Sequence, residues 1–90
     1  MNPEYAAAHL CLGLALGKVG KLGAALESLR KALNINPNLD EAHFNMGIAL
    51  GKQGKLKEAV ESFRKATLIN KNYTTAFFKM GLTLGKLGKL

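Results

Sequence analysis

The ninety-residue sequence has no tryptophan, one cysteine, two prolines and only six acidic residues. One cysteine cannot pair within the chain, so a disulfide scaffold is excluded. A lone thiol fits a reducing compartment, and the chain is read as cytoplasmic or as a soluble segment of something larger. Thirteen Lys and Arg against six Asp and Glu leave a net charge of +7. No apolar run is long enough to span a bilayer. The longest, Tyr5 to Gly17, stops at Lys18, whereas a membrane helix needs ~20 residues. Glu4 before that run, with no basic residue, argues against a signal peptide. A chain this short buries only ~60% of its unfolded surface, which leaves little room for a deep catalytic pocket.

What the sequence does have is glycine, ten of them, set among leucines and alanines rather than in turns. The segment Leu16-Gly17-Lys18-Val19-Gly20-Lys21-Leu22 returns as Leu50 to Leu56 and again as Leu84 to Leu90, each time 34 residues on. Residues 6–39 and 40–73 share 19 of 34 positions, and 74–90 matches 40–56 at 10 of 17. A period of this length indicates stacked supersecondary units. The expected organisation is one array: a unit at 6–39, a second at 40–73 and a truncated third at 74–90. Asn2-Pro3 matches Asn36-Pro37, and Leu90 matches Leu22 and Leu56. That register predicts a fragment of a longer array, or a chain completed by association.

Each unit reads as two helices. Ala42, Met46, Ile48, Ala49 and Leu50 are apolar at helical spacing, a break follows at Gly51 to Lys55, and Leu56, Ala59, Val60, Phe63 and Ala66 form a second stripe. Glu27–Lys31 and Glu61–Lys65 are spaced as i,i+4 ion pairs. Asn34-Ile35-Asn36-Pro37-Asn38 stops one helix, and Asp40-Glu41 suit the first turn of the next. No strand-like alternation is present, so the fold class is all-α, with about five helices. Gly13, Gly47 and Gly81 fall mid-helix, where glycine costs ~1 kcal/mol relative to alanine. Close contact with Ala25 or Ala59 is the expected compensation. Gly20, Gly54 and Gly88 are expected as left-handed helix caps. Gly17, Gly51 and Gly85 are expected to widen one end of a groove.

The pattern Ala42…Met46-Gly47…Leu50…Gly54…Ala59…Phe63…Ala66, with its first-unit counterpart ending at Pro37, resembles the tetratricopeptide repeat (TPR). The resemblance covers the whole chain. It departs from the family where His9, His43 and Phe77 replace the usual Trp, where Leu16, Leu50 and Leu84 replace the usual Tyr, and where Lys71 replaces the closing Pro. The resemblance implies a right-handed superhelical solenoid of antiparallel helix pairs whose concave groove is lined by the first helices. It implies a non-enzymatic scaffold that binds a protein or peptide segment.

No catalytic or metal constellation competes with that reading. The acids fall on exposed faces or helix starts, and Ser28 and Ser62 have no histidine on their own helices to serve as base. His9 and His43 give too few ligands for a zinc site and are expected to pack. Cys11, beside an apolar stripe, is expected to be a buried or half-buried inert thiol. No metal, cofactor or catalytic residue is assigned.

The groove carries the functional expectation. Leu10, Leu14, Phe44, Ile48, Phe78 and Leu82 should supply apolar contact, Asn45 directional hydrogen bonds, and Lys18, Lys52 and Lys86 a basic column. An acidic, apolar partner segment follows. Some chaperone-binding members of the family clamp a C-terminal carboxylate. Asn45 matches one of five clamp positions and Lys79 could replace another, but Leu10, Leu14 and Thr75 occupy the rest. Two alternatives stand beside the groove. The half-unit from Phe77 to Leu90 would dock on another chain, giving dimers or head-to-tail arrays. The lysine column, with Lys21, Lys55 and Lys89, would meet a polyanion or RNA, helped by Phe44, Phe78 and Tyr73 as stacking rings.

Overall fold

A computed structural model describes residues 3–89, with side chains from residue 4. Asn2 and Leu90, which carry the sequence reading of the two ends, lie outside the described residues. Five α-helices follow in order: α1 (Pro3–Lys18), α2 (Leu22–Ile35), α3 (Asp40–Lys52), α4 (Leu56–Ile69) and α5 (Thr74–Gly88). No strand occurs among the described residues. The chain is all-α, a layered stack measuring 42 × 28 × 17 Å. α1 pairs with α2 and α3 with α4, α2 and α4 pack on the following helix, and α1 also touches α3.

The turn between paired helices is written by one glycine. Gly20 and Gly54 have φ of +83° and +81°, a region where a Cβ meets the following carbonyl. At Gly54 the Lys55 N–H donates to Leu50 O at 2.9 Å and the Gly54 N–H to Gly51 O at 3.0 Å. Lys21 N–H to Leu16 O and Gly20 N–H to Gly17 O repeat both bonds at 3.0 and 3.2 Å. This double closure satisfies carbonyls that the helix end would leave unpaired. Gly88 departs from the expected cap. It stays within α5, and Lys89 closes the helix in right-handed geometry. At Gly20 and Gly54 a following helix folds back and holds the turn, and no such helix follows Gly88 among the described residues.

Between units the chain reverses on asparagine. The Asn38 N–H donates to Asn36 Oδ1 at 3.1 Å, and the Asn72 N–H to Asn70 Oδ1 at 3.0 Å. The two turns match although Pro37 in one is Lys71 in the other. Asn70 Nδ2 also donates to Asp40 Oδ2 at 3.0 Å, tying the end of α4 to the start of α3. His43 Nε2 lies 3.0 Å from the Pro37 carbonyl. A carbonyl only accepts, so this nitrogen carries the proton and the ring pins the turn to α3.

The second helices supply the longest buried stripes of the core, and Leu10, Ala42, Ala49 and Leu50 of α1 and α3 pack into it. Ala25, Leu26, Leu29 and Ala32 of α2 are buried, as are Ala59, Val60, Phe63 and Ala66 of α4, the i, i+3, i+4 stripe of an amphipathic helix. Gly13 and Gly47 sit against these stripes; Gly13 does approach the expected Ala25, whose carbonyl oxygen lies 3.4 Å from a would-be Cβ, but the closest neighbours are larger side chains. A Cβ on Gly13 would fall 2.8 Å from the Leu29 side chain, and one on Gly47 2.6–2.9 Å from three atoms of the Phe63 ring. The glycines are holes for a large side chain rather than one half of a small–small contact. Gly81, in the same register of α5, meets nothing within 4 Å. Of the two expected ion pairs, Glu27–Lys31 closes at 3.7 Å on the surface, and no Glu61–Lys65 contact forms within ion-pair distance.

Candidate functional site: the lysine-edged groove

α1, α3 and α5 stand side by side, and their open faces form two connected grooves. The first, about 210 Å³, has Leu22, Ala25 and Leu29 of α2 as its floor and Leu14, Lys18, Asn45, Ile48 and Lys52 as its walls. The second, about 250 Å³, is bounded by Ile48, Lys52, Phe63, Lys79, Thr83 and Lys86. Ile48 and Lys52 line both, so they form the ridge between the two. Gly17 opens onto the first groove with nothing within 4 Å of a would-be Cβ, and Gly51, in the second, has only the Ala59 methyl at 3.9 Å. Any side chain at either position would fill groove space.

The charge is one-sided. Lys18, Lys52 and Lys86 occupy the last turns of α1, α3 and α5, where cations offset the negative end of the helix dipole. Lys79 joins them on the wall of the second groove. Neither groove has an Asp or Glu among its lining residues, so the lysines face the grooves without an acidic partner in them.

Other expected groove residues have different places. Leu10 is only 9% exposed and packs with Leu29, Ala32 and Ala42. It is a core residue, because α2 and α3 close over that end of α1. Phe44 lies between rings, 5.7 Å from Phe63 and 4.9 Å from Tyr73 between centroids. This stack takes Phe44 and Tyr73 out of the set of rings free to receive a base. Phe78 and Leu82 are exposed on α5. Phe78 shares Phe44's register, but the positions that would supply its two ring partners are not among the ninety residues. Asn45 reaches the groove but donates its Nδ2 to its own helix, at Glu41 O, 2.8 Å away. Its Oδ1 and the second N–H of Nδ2 are left to meet a ligand.

Cys11 is exposed rather than buried. It shares the register of Asn45 and Lys79, so it stands on the groove side of α1, where no further helix packs among the described residues. The sequence reading missed the floor residues Leu22 and Leu29 and the wall residue Thr83. Leu22 and Leu29 belong to a second helix, whose stripe signals core burial without showing which residues also meet the groove. Thr83 donates its hydroxyl to Lys79 O at 2.8 Å and so resembles an ordinary helix residue. Among the described residues no three His, Cys, Asp or Glu side chains cluster as metal ligands, and no helix is long and apolar enough to cross a membrane.

One titration is displaced at the edge of this region. Burial pushes the Tyr73 hydroxyl above its ordinary value of 10.0, and the carboxylates of Glu41 and Asp40 push it in the same direction.

The architecture is shared with solved structures. The second TPR of Spaghetti (RPAP3), bound to the HSP90 peptide SRMEEVD, superposes with a TM-score of 0.93 at 27% identity, over 99% of this chain and 82% of that one. The first TPR of the same protein, bound to the same peptide, gives 0.92 at 22% identity, over 99% and 72%. The crystal structure of MamA gives 0.92 at 24% identity, and the match covers 97% of this chain but only 51% of that one, so the chain spans about half of MamA's length. No curated protein matches the chain. A family model described as TPR repeat matches residues 18–54, and one described as Tetratricopeptide repeat matches residues 40–73. The period, the glycine-capped helix pairs and these matches agree: the chain belongs to the tetratricopeptide-repeat family.

Proposed function

We propose that the chain is a non-enzymatic protein-interaction module that receives an acidic, partly apolar peptide segment along the groove. The observation that carries this reading is the shared ridge of Ile48 and Lys52. A segment crossing it meets apolar surface from Leu14 and Ile48, and successive cations from Lys18, Lys52, Lys79 and Lys86. An extended peptide suits a surface whose chemistry repeats along its length. The two Spaghetti TPR structures hold a peptide with acidic residues near its end, which supports a ligand of that class. This chain has Leu10, Leu14 and Thr75 where clamp-type members have polar contacts, so recognition here rests on the lysines and the apolar ridge.

The test is fluorescence anisotropy with labelled SRMEEVD as the probe and a scrambled, acid-free peptide as the control. Binding should weaken with added salt, as expected for exposed cations. Lys52→Glu, at an exposed position, should weaken it at least ~tenfold with helicity unchanged. Equal binding of the acid-free peptide, or no effect of Lys52→Glu, refutes the reading. Poly-uridylate as competitor separates this from polyanion capture, because RNA that displaces the peptide without discriminating Ile48→Asp would favour the charge-only alternative.

A further inference from the structure

The first groove contains a glycine that neither backbone geometry nor packing accounts for. Gly13 makes room for Leu29, and Gly20 supplies the left-handed turn. Gly17 lies inside α1 without a positive φ, and a Cβ there would meet nothing within 4 Å. Glycine weakens a helix, and no contact within the chain offsets that loss. What a side chain at Gly17 would occupy is the groove cavity of about 210 Å³. That cavity is complete within the chain, since α1 and α3 wall it and α2 floors it. It falls below the ~300 Å³ at which pockets for free small ligands begin. It exceeds the ~150 Å³ of an apolar cavity that binds benzene. One large side chain matches it.

We propose that Gly17 sets the specificity of the groove by keeping this cavity open for a single leucine-sized side chain of an acidic peptide. This specificity rests on the groove being a peptide site, as proposed above, and adds the residue that the peptide must carry. The surfaces facing the cavity are aliphatic: Leu22 and Leu29 below, Leu14 and Ile48 at the sides. Lys18 and Lys52, in the last turns of α1 and α3, stand at one end of it, and no Asp or Glu lines it. An apolar side chain entering there is therefore best flanked by carboxylates, which complement the two lysines while the side chain leaves water. The second groove offers no equivalent seat. Lys52, Lys79, Lys86 and Thr83 surround it, and at Gly51 the Ala59 methyl already lies 3.9 Å from a would-be Cβ. The apolar anchor belongs to the first groove, and acidic residues of the same segment lie over the second.

Fluorescence anisotropy with two labelled heptapeptides, EEDLDEE and EEDADEE, tests this. The parent chain should bind the leucine peptide at least ~tenfold more tightly than the alanine peptide. Gly17→Leu fills the cavity and should abolish that preference, while the remaining binding still weakens with added salt. Helicity should hold or rise, because leucine is the better helix former. Gly17→Ala, a smaller plug, should reduce the preference in part. Gly23→Leu adds the same side chain at an exposed position of α2 outside the cavity and should leave the preference unchanged. Equal binding of the two peptides by the parent chain, with Lys52→Glu still weakening both, overturns the proposal and leaves the groove reading standing. A leucine preference that survives Gly17→Leu, or one that Gly23→Leu also removes, overturns it as well. If the parent chain binds neither peptide, the groove reading fails and the role of Gly17 falls with it.

Discussion

Gly47 and Gly81 occupy the same register of equivalent helices, and alanine at each should act with opposite sign. In both, alanine gains ~1 kcal/mol of helix propensity. At Gly81 nothing lies within 4 Å of the new methyl, so the gain is realised. At Gly47 the methyl would sit 2.6 Å from Phe63 Cε1, 2.7 Å from Cδ1 and 2.9 Å from Cζ. The ring cannot swing aside, since Phe63 is 2% exposed and packs on Phe44. Overpacking of this kind costs ~1–3 kcal/mol, leaving Gly47→Ala between neutral and ~2 kcal/mol destabilised. The two variants should therefore differ by ~1–3 kcal/mol, or at least ~4 °C in Tm for a chain of this size. Circular dichroism during heating reads the difference directly. Adding Phe63→Leu to Gly47→Ala should recover part of the loss in the pair relative to the two single changes summed, because leucine has no ring edge at that point. If Gly47→Ala proves as stabilising as Gly81→Ala, the glycine is not there to admit the ring.

Gly54→Ala should cost ~1–2 kcal/mol in urea denaturation, because φ of +81° brings its Cβ against the following carbonyl. Lys71→Pro should stabilise by ~0.4–1 kcal/mol, since the turn at Asn70–Asn72 matches the one that holds Pro37; a loss of stability would mean that the two backbones differ. Asn70→Ala removes both the turn bond and the link to Asp40, and should cost ~1–3 kcal/mol by the same denaturation. Tyr73 has its pKa raised in the folded chain by burial and then by Glu41 and Asp40, so its contribution is complete below the ordinary value of 10.0 and is lost as pH rises through the folded value. Ultraviolet titration should show Tyr73 ionising above the ordinary value of 10.0, and Tyr73→Phe should lessen the alkaline loss of stability.

The helices were legible because this sequence repeats itself. Thirty-four-residue spacing fixed the register, and Gly20, Gly54 and the two asparagine turns marked where each helix ends. Contacts between helices were less legible. A mid-helix glycine announces a close approach, but not whether alanine, leucine or phenylalanine fills it. Leu10 and Phe44 show the same limit at the groove. Both lie on first helices at apolar positions, and only the way α2, α3 and α4 close over them distinguishes core from wall. Lys18, Lys52 and Lys86 were readable because their place in the last turn is set by chain register alone. The placement of Cys11 depended on what stands beside α1, which spacing along the chain does not encode.

The two asparagine turns have a consequence for how such an array can vary. With Asn36 and Asn70 forming the same corner beside either a proline or a lysine, the bend belongs to the asparagine and the middle residue is left free. Shape and surface charge are thus set by different residues at each junction. An array of this kind can acquire or shed a positive charge at every corner while its pitch stays the same.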